Sequence, residues 1–286
     1  MAEIFPNYYK KFKCIADKCR HSCCIGWEID VDEDTLGFYN TLDSELGDRI
    51  RKSIEGDVPH FVLGEGERCP FLNTCGLCDI ISELGEGGLC DICRLHPRFC
   101  NFYDGFTEIG LGLCCEEAAR IVLTEAEKFS LDLPEAAKNM SFFAERQKVF
   151  DILQDRSVTV LERLKKLAVK YGLKLEISGD SLYELYSSLE RLDTGWDTEL
   201  EKLKSSDGAA ALEREDTQIF FEQLACYLVF RHFDGGVGFV LVSMLAVSAI
   251  CASCESTDEM LDKVRMYSSE IEYSEENTEK VRKLLR

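Results

Sequence analysis

Three groups of cysteines carry the chemistry this sequence could do. Cys14, Cys19, Cys23 and Cys24 set four sulfurs within eleven residues, just ahead of Gly26 and Trp27. The run Cys69-Pro70-Phe71-Leu72 is followed by Cys75 and Cys78, and a third group, Leu89-Cys90 with Cys93, precedes Pro97-Arg98. Zinc and iron–sulfur sites both need several thiolates converging on one point, and short spacings lower the entropy cost of bringing them together. A Cys-x2-Cys pair recurs at 75/78 and 90/93, a spacing that lets two sulfurs face one metal while backbone N–H groups support them. The alternative role for such thiols is as small buried hydrophobes.

The distribution of the cysteines bears on the redox compartment. Twelve of the fifteen lie between Cys14 and Cys115, leaving only Cys226, Cys251 and Cys254 behind. An odd total and the adjacent pairs Cys23-Cys24 and Cys114-Cys115 suit a disulfide framework poorly. The N-terminal MAEIFPNYYKKFKC has no apolar core after its basic residues and so lacks the form of a secretory signal. A reducing, cytoplasmic setting is therefore expected, where clustered thiols bind metal.

Charge narrows the partners. Lys plus Arg total 33 against 53 Asp plus Glu, a formal charge of −20, which repels nucleic-acid phosphates and anionic lipid headgroups. Neither nucleic acid nor membrane is an expected partner, whereas a protein presenting lysines would be attracted. The longest apolar run, Val237 to Cys251, is shorter than the roughly 20 residues needed to cross a bilayer, and it fits a buried helix.

Elements that must position the thiols follow from pattern. The front of the chain has short segments, many glycines and frequent turns, and helical periodicity begins only after about Leu113. The run from Glu116 to Glu127 opens with two acids, which favour a helix N-terminus. Pro134 suits a first helical position, and Gly172 a C-terminal cap. Further helices are expected at SLYELYSSLERL, DTELEKLKSS, DTQIFFEQLACYLVFRHF, the apolar run after Gly235-Gly236, and Asp258 to Arg286. The expected fold is mainly α: a cysteine-rich, loop-dominated region over residues 1–130 with few short strands, packed on a helical bundle over 131–286.

The cysteine pattern also carries a family likeness. Cys14, Cys19, Ser22-Cys23-Cys24 with Gly26-Trp27, then Cys69-Pro70-Phe71-Leu72, Gly76-Leu77-Cys78, Leu89-Cys90 with Cys93, Pro97-Arg98 and Cys115-Glu116-Glu117-Ala118-Ala119-Arg120 together resemble the flagellin lysine-N-methylase (FliB-type) family. The resemblance implies methyl transfer from S-adenosylmethionine to lysines of flagellin. It also implies an iron–sulfur cluster, of the 4Fe-4S kind, held by Cys14, Cys19, Cys23, Cys24, Cys69, Cys78, Cys90, Cys93 and Cys115. Cys75, Cys100 and Cys114 are extra to that pattern. The chain departs from it where Cys114 replaces the usual Ser, Glu116 the usual Pro and His96 the usual Tyr.

Other cofactor signatures are absent or incomplete. No GxGxxG turn is present to approach a nucleotide, and Cys19-x3-Cys23 runs directly into Cys24 instead of the Cys-x3-Cys-x2-Cys of enzymes that cleave S-adenosylmethionine at a cluster. Lysine methylation calls for a base or a desolvating aromatic pocket, for which Tyr8, Tyr9, Trp27, Tyr103, Glu28, Asp30 and Asp32 are the nearby side chains. Arg98 could clamp a carboxylate or form a structural ion pair, and His96 could ligate or simply pack. Two other functions remain open: a zinc- or iron-chelating module without catalysis, and an iron–sulfur redox protein.

Overall fold

Helices dominate the chain and strands are few and short, the mainly α architecture expected from its periodicity. The computed structural model describes residues 2–138, 140–205 and 208–283. It divides into two compact units, residues 13–99 and residues 1–12 with 100–286. The change of character expected near residue 130 thus lies inside the second unit. Residues 100–130 are drawn there by β-pairing and by a helix, Glu116–Leu123, whose buried face is Ala118, Ala119, Ile121, Val122 and Leu123.

In the first unit, local capping sets the ends of the elements. Helix α1 (Glu33–Thr41) begins where the Asp32 carboxylate accepts the Thr35 N–H at 2.9 Å, and α2 (Glu45–Lys52) where Ser44 Oγ accepts the Gly47 N–H at 3.1 Å. Such caps are each worth about 1 kcal/mol. Arg51 ties the two helices together by donating to the carbonyls of Tyr39 and Leu42 at 2.8 and 2.9 Å. A Cβ on Gly47 would stand 2.7 Å from Leu42 Cβ, so this helix pair can close only around a residue without a side chain. An antiparallel pair, β2 (Ile54–Glu55) and β3 (His60–Phe61), follows, then the short helices α3 (Asp79–Leu84) and α4 (Asp91–Leu95). Ile29, Val31, Tyr39, Leu46, Ile50, Phe61, Phe71 and Ile80 form the core, together with Cys69 and Cys90.

A three-stranded sheet runs in the order β1 (Ala2–Ile4), β5 (Phe106–Leu111), β4 (Arg98–Tyr103), the second unit taking β4 from Cys100 onward. β1 runs parallel to β5, with Ile4 opposite Glu108. The helices are α5 (Glu116–Leu123), α6 (Glu135–Lys138), α7 (Ser141–Leu153), α8 (Val160–Lys170), α9 (Gly179–Ser187), α10 (Trp196–Ser205), α11 (Ala210–Glu213), α12 (Gln218–His232), α13 (Val237–Cys251), α14 (Thr257–Tyr267) and α15 (Glu275–Lys283). A π-helical segment, Ser268–Glu272, joins the last two. The helix expected to run to Arg286 is described as far as Lys283, and residues 284–286 lie outside the described part.

Helix α13 is apolar on every side and almost wholly buried among α8, α10, α11, α12, α14 and α15. No described helix is long and apolar enough to cross a membrane. Two buried carboxylates of this unit are held by arginines. Glu108 is fully buried on β5 and bonds the Arg146 guanidinium through both oxygens, one contact being 2.9 Å. The guanidinium also lies 4.8 Å from the ring centre of Phe142 and 5.1 Å from that of Phe143, so delocalised charge faces π-electrons. Glu222 receives Arg156 and Arg163, each at 2.7 Å.

Removing one partner of a buried pair strands the other charge. Glu108→Leu is therefore expected to destabilise the protein by about 3–5 kcal/mol in urea unfolding. A loss below about 1 kcal/mol would mean that Arg146 reaches water without its partner.

Candidate metal centre

Three backbone pairings in the first unit collect cysteines that are far apart in sequence. The Cys69 N–H donates to the Cys24 carbonyl at 2.8 Å and the Gly26 N–H to the Glu67 carbonyl at 3.0 Å, a short antiparallel ladder about the Ile25–Arg68 bridge. Gly26, at φ +79°, supplies the left-handed turn that ends this ladder. A second bridge pairs Leu72 with Cys78, and the Asp79 N–H donates to the Phe71 carbonyl at 2.8 Å. The third device is a tight turn in which the Cys93 and Arg94 N–H groups both donate to the Cys90 carbonyl, at 3.1 and 2.9 Å.

Together these bring five thiols, those of Cys24, Cys69, Cys78, Cys90 and Cys93, against one apolar cluster. The five lie within electrostatic reach of one another: Cys69 feels Cys24, Cys78 and Cys90, and Cys93 feels Cys90, Cys24 and Cys69. Cys78 and Cys90 stand at the positions just before α3 and α4, with extended backbone (ψ 120° and 157°). Among the described residues, no three His, Cys, Asp or Glu side chains are already arranged as the coordination sphere of a metal ion.

Burial sets the protonation of this group. It pushes Cys69 up to about 12 and raises Cys78, in the latter case against the favourable N–H groups of Ile81 and Ile80. Cys90 and Cys93 share a hydrogen bond that lowers Cys90 and raises Cys93, so the proton of that pair rests on Cys93. Cys24 is lowered as well, held at about 7 by the Cys23 thiol, with Ser22 and Arg68 adding to the effect against burial. A metal binding here would displace protons, because thiolates and not thiols are the ligands.

The remaining cysteines fall elsewhere. Cys14 and Cys23 are exposed and Cys19 half-buried; Cys14 Sγ accepts the Ala16 N–H at 3.4 Å, and Cys19 Sγ donates to the His21 carbonyl at 3.3 Å. Cys75 is exposed on a turn made by Asn73, whose Oδ1 accepts the N–H groups of Cys75 and Leu77 at 2.9 and 3.1 Å. Cys115 belongs to the second unit, half-buried at the position before α5. Its neighbour Cys114 is buried, pushed up to about 12, and hydrogen-bonded to Tyr273. Cys100 is exposed on β4.

Among the aromatic and charged candidates, Trp27 and His96 meet edge to face with ring centres 6.5 Å apart. Burial, with Arg98 nearby, lowers His96 to about 4, so the imidazole is neutral at pH 7. Asp32 is a structural clasp: it caps α1 and accepts the Asp91 N–H at 2.8 Å, tying α1 to α4. Tyr8, Tyr9 and Tyr103 lie in the second unit, the first packed on Phe129, the second on Phe5 and the third stacked on Phe106.

One residue beside the thiols was not singled out from the sequence. Tyr39 is fully buried, donates to the Gly88 carbonyl at 2.7 Å, and is raised first by burial and then by the neighbouring Cys90, Cys93 and Cys78. Its only trace in the sequence is the apolar spacing it shares with Leu36, which marks a core face and not a phenol beside sulfur.

No family model matches the chain, and no solved structure matches it. Among curated proteins, a lysine-N-methylase of Salmonella typhimurium (strain LT2) is 24% identical over 217 residues, 66% of this chain and 53% of that protein. A lysine-N-methylase of Salmonella choleraesuis is 24% identical over 220 residues, with the same coverage of 66% and 53%. The flagellar biosynthetic protein FliU of Salmonella muenchen is 27% identical over 137 residues, 44% of this chain and 79% of that protein. The chain spans about half the length of the lysine-N-methylases it matches.

The thiol environments predict an order of reactivity in reduced, metal-free protein at pH 7. Cys24, near 7, is about half thiolate, whereas Cys69, near 12, is almost wholly protonated. The weaker nucleophilicity of a low-pKa thiolate offsets only part of that difference, so Cys24 should alkylate faster by on the order of 100-fold. Peptide mass spectrometry after brief iodoacetamide treatment measures the ratio. Equal rates would show that burial does not control these thiols.

Proposed function

We propose that the chain, like the curated lysine-N-methylases it resembles, is a FliB-type lysine-N-methylase that transfers a methyl group from S-adenosylmethionine to protein lysines, with flagellin as substrate. The observation that carries this reading is the gathering of Cys24, Cys69, Cys78, Cys90 and Cys93, all positions of the family-like pattern, in one apolar nest. A sulfur-only donor set of this kind fits an iron–sulfur cluster, and zinc is the other metal it suits. Cys14, Cys19 and Cys23 precede Cys24 on irregular chain and complete the proposed ligand set of this unit. The place of Cys115 in that set rests on the resemblance alone.

When bound, such a cluster supplies an iron that can take the amino and carboxylate groups of the methyl donor. What the chain itself contributes is burial and orientation. Phe61, Phe71, Ile50 and Tyr39 wall the thiols, and the Tyr39–Gly88 hydrogen bond fixes the loop that leads into Cys90. Trp27 and neutral His96 meet edge to face as an aromatic pair that adds no charge. The lysine amine must arrive neutral and in line with the sulfonium methyl, so a low-dielectric surround that disfavours ammonium assists the step. A formal charge of −20 draws lysine-bearing protein surfaces and repels polyanions.

The test is anaerobic purification followed by metal and labile-sulfide analysis, a visible spectrum, and titration with S-adenosylmethionine. Iron with sulfide, a spectral change on adding the cofactor, and methylated lysines on flagellin by mass spectrometry are expected. Cys69→Ser and Cys90→Ser should each abolish the chromophore, while Cys75→Ser should keep it. Stoichiometric zinc with no chromophore and no cofactor binding would make this a chelating protein without catalysis.

A further inference from the structure

Cys251 and Cys254 belong to no part of the proposed methylation site. Helix α13 ends at Cys251, the chain turns through Ala252 and Ser253, and the Cys254 N–H donates to the Cys251 carbonyl at 3.0 Å. Closure of this kind holds the two Cα atoms within about 7 Å. Disulfides span Cα separations of about 4.4–6.8 Å. The two side chains are already in hydrogen-bond contact, both as free thiols. Cys251 is fully buried and Cys254 is 6% exposed, while the residues between them are half-buried Ala252 and exposed Ser253.

The surroundings of this pair are ionic. Lys263 and Lys202 both bind Glu199, each at 2.8 Å, and Arg214 donates to the Cys254 carbonyl at 3.0 Å while pairing with Asp216. Lys263 and Lys202 favour charge on Cys254, and Glu259 opposes it. The Cys251 thiol donates to Cys254 and, as the largest influence, holds it at about 7, while Cys251 itself is driven well up by the same bond and by burial. One sulfur is thereby the nucleophile and the other the reserve proton donor. A thiol used only as a small hydrophobe has no need of a contacting second thiol or of neighbouring ion pairs.

We propose that Cys251 and Cys254 form a redox-active dithiol that a hydroperoxide converts to an intramolecular disulfide. The Cys254 thiolate attacks one peroxide oxygen, the O–O bond breaks, and hydroxide or alkoxide leaves, giving a sulfenic acid on Cys254. The Cys251 sulfur then displaces that hydroxyl, which departs as water with the Cys251 proton, and the S–S bond forms. Two thiols lose two electrons in all, and hydrogen peroxide is reduced to two waters. The product staples the end of α13 to the segment that leads into α14.

The test uses the full chain, reduced and then treated with hydrogen peroxide. It is next denatured, alkylated and digested with trypsin, so that residues 232–263 carry both cysteines on one peptide. That peptide is expected to lose two hydrogens and both alkylation sites, and to regain the sites after dithiothreitol. In Cys251→Ser, Cys254 should stop at the sulfenic acid and be captured by dimedone, whereas Cys254→Ser should leave Cys251 unoxidised and fully alkylated. Full alkylation of both cysteines in the treated wild-type peptide would overturn the proposal. So would direct passage of Cys254 to sulfinic acid without a disulfide.

Discussion

Burying several thiols against one another is the constraint on which the first unit is built. A thiol can enter an apolar core as a neutral group, but a thiolate there needs a cation or a strong donor. The nest around Cys69, Cys78, Cys90 and Cys93 resolves this by keeping protons on most of its sulfurs. The same arrangement leaves the thiols ready to exchange protons for a soft metal, so that metal binding and compaction of the unit become linked. Every short element nearby serves the convergence. Asp32 joins α1 to α4, Arg51 clamps α1 to α2, and Arg49 reaches Asp79 at the start of α3 at 2.9 Å.

The second unit handles buried charge by a different rule. Three of its interior carboxylates are matched by basic side chains, Glu108 by Arg146, Glu222 by Arg156 and Arg163, and Glu272 by His232 at 2.7 Å, while buried Glu270 accepts the Leu192 N–H at 3.1 Å. Such pairs add less to net stability than apolar packing would, but they penalise any register in which a charge loses its partner. They therefore specify how α7, α8 and α12 pack on one another, with α8 and α12 also lying against the apolar surface of α13. The π-helical Ser268–Glu272 is part of this, since its wide turn presents Glu272 to His232 and to the Tyr227 hydroxyl at 3.1 Å.

Local pattern made much of this legible. The mainly α class, the cysteine-rich front and the buried helix from Val237 to Cys251 could be read directly, and the helix has those very limits. Gly172, just past α8, takes φ +67° as its backbone preference allows, whereas Pro134 stands one residue before the short α6 instead of inside it. What shortened several helices was competition from capping: α5 stops at Leu123, where the Thr124 hydroxyl turns back to the Arg120 carbonyl at 2.7 Å.

The sequence alone shows where the thiols lie along the chain and which stretches are helical, because residue type and helical periodicity are both local properties. Only the tertiary structure decided that Cys24 meets Cys69, that Cys75 stays outside the nest, and that Tyr39 sits beside the sulfurs. Those outcomes hang on pairings such as Ile25 with Arg68 and Leu72 with Cys78. Register across a loop depends on which competing burial is most favourable for the whole core, and no spacing along the chain records that.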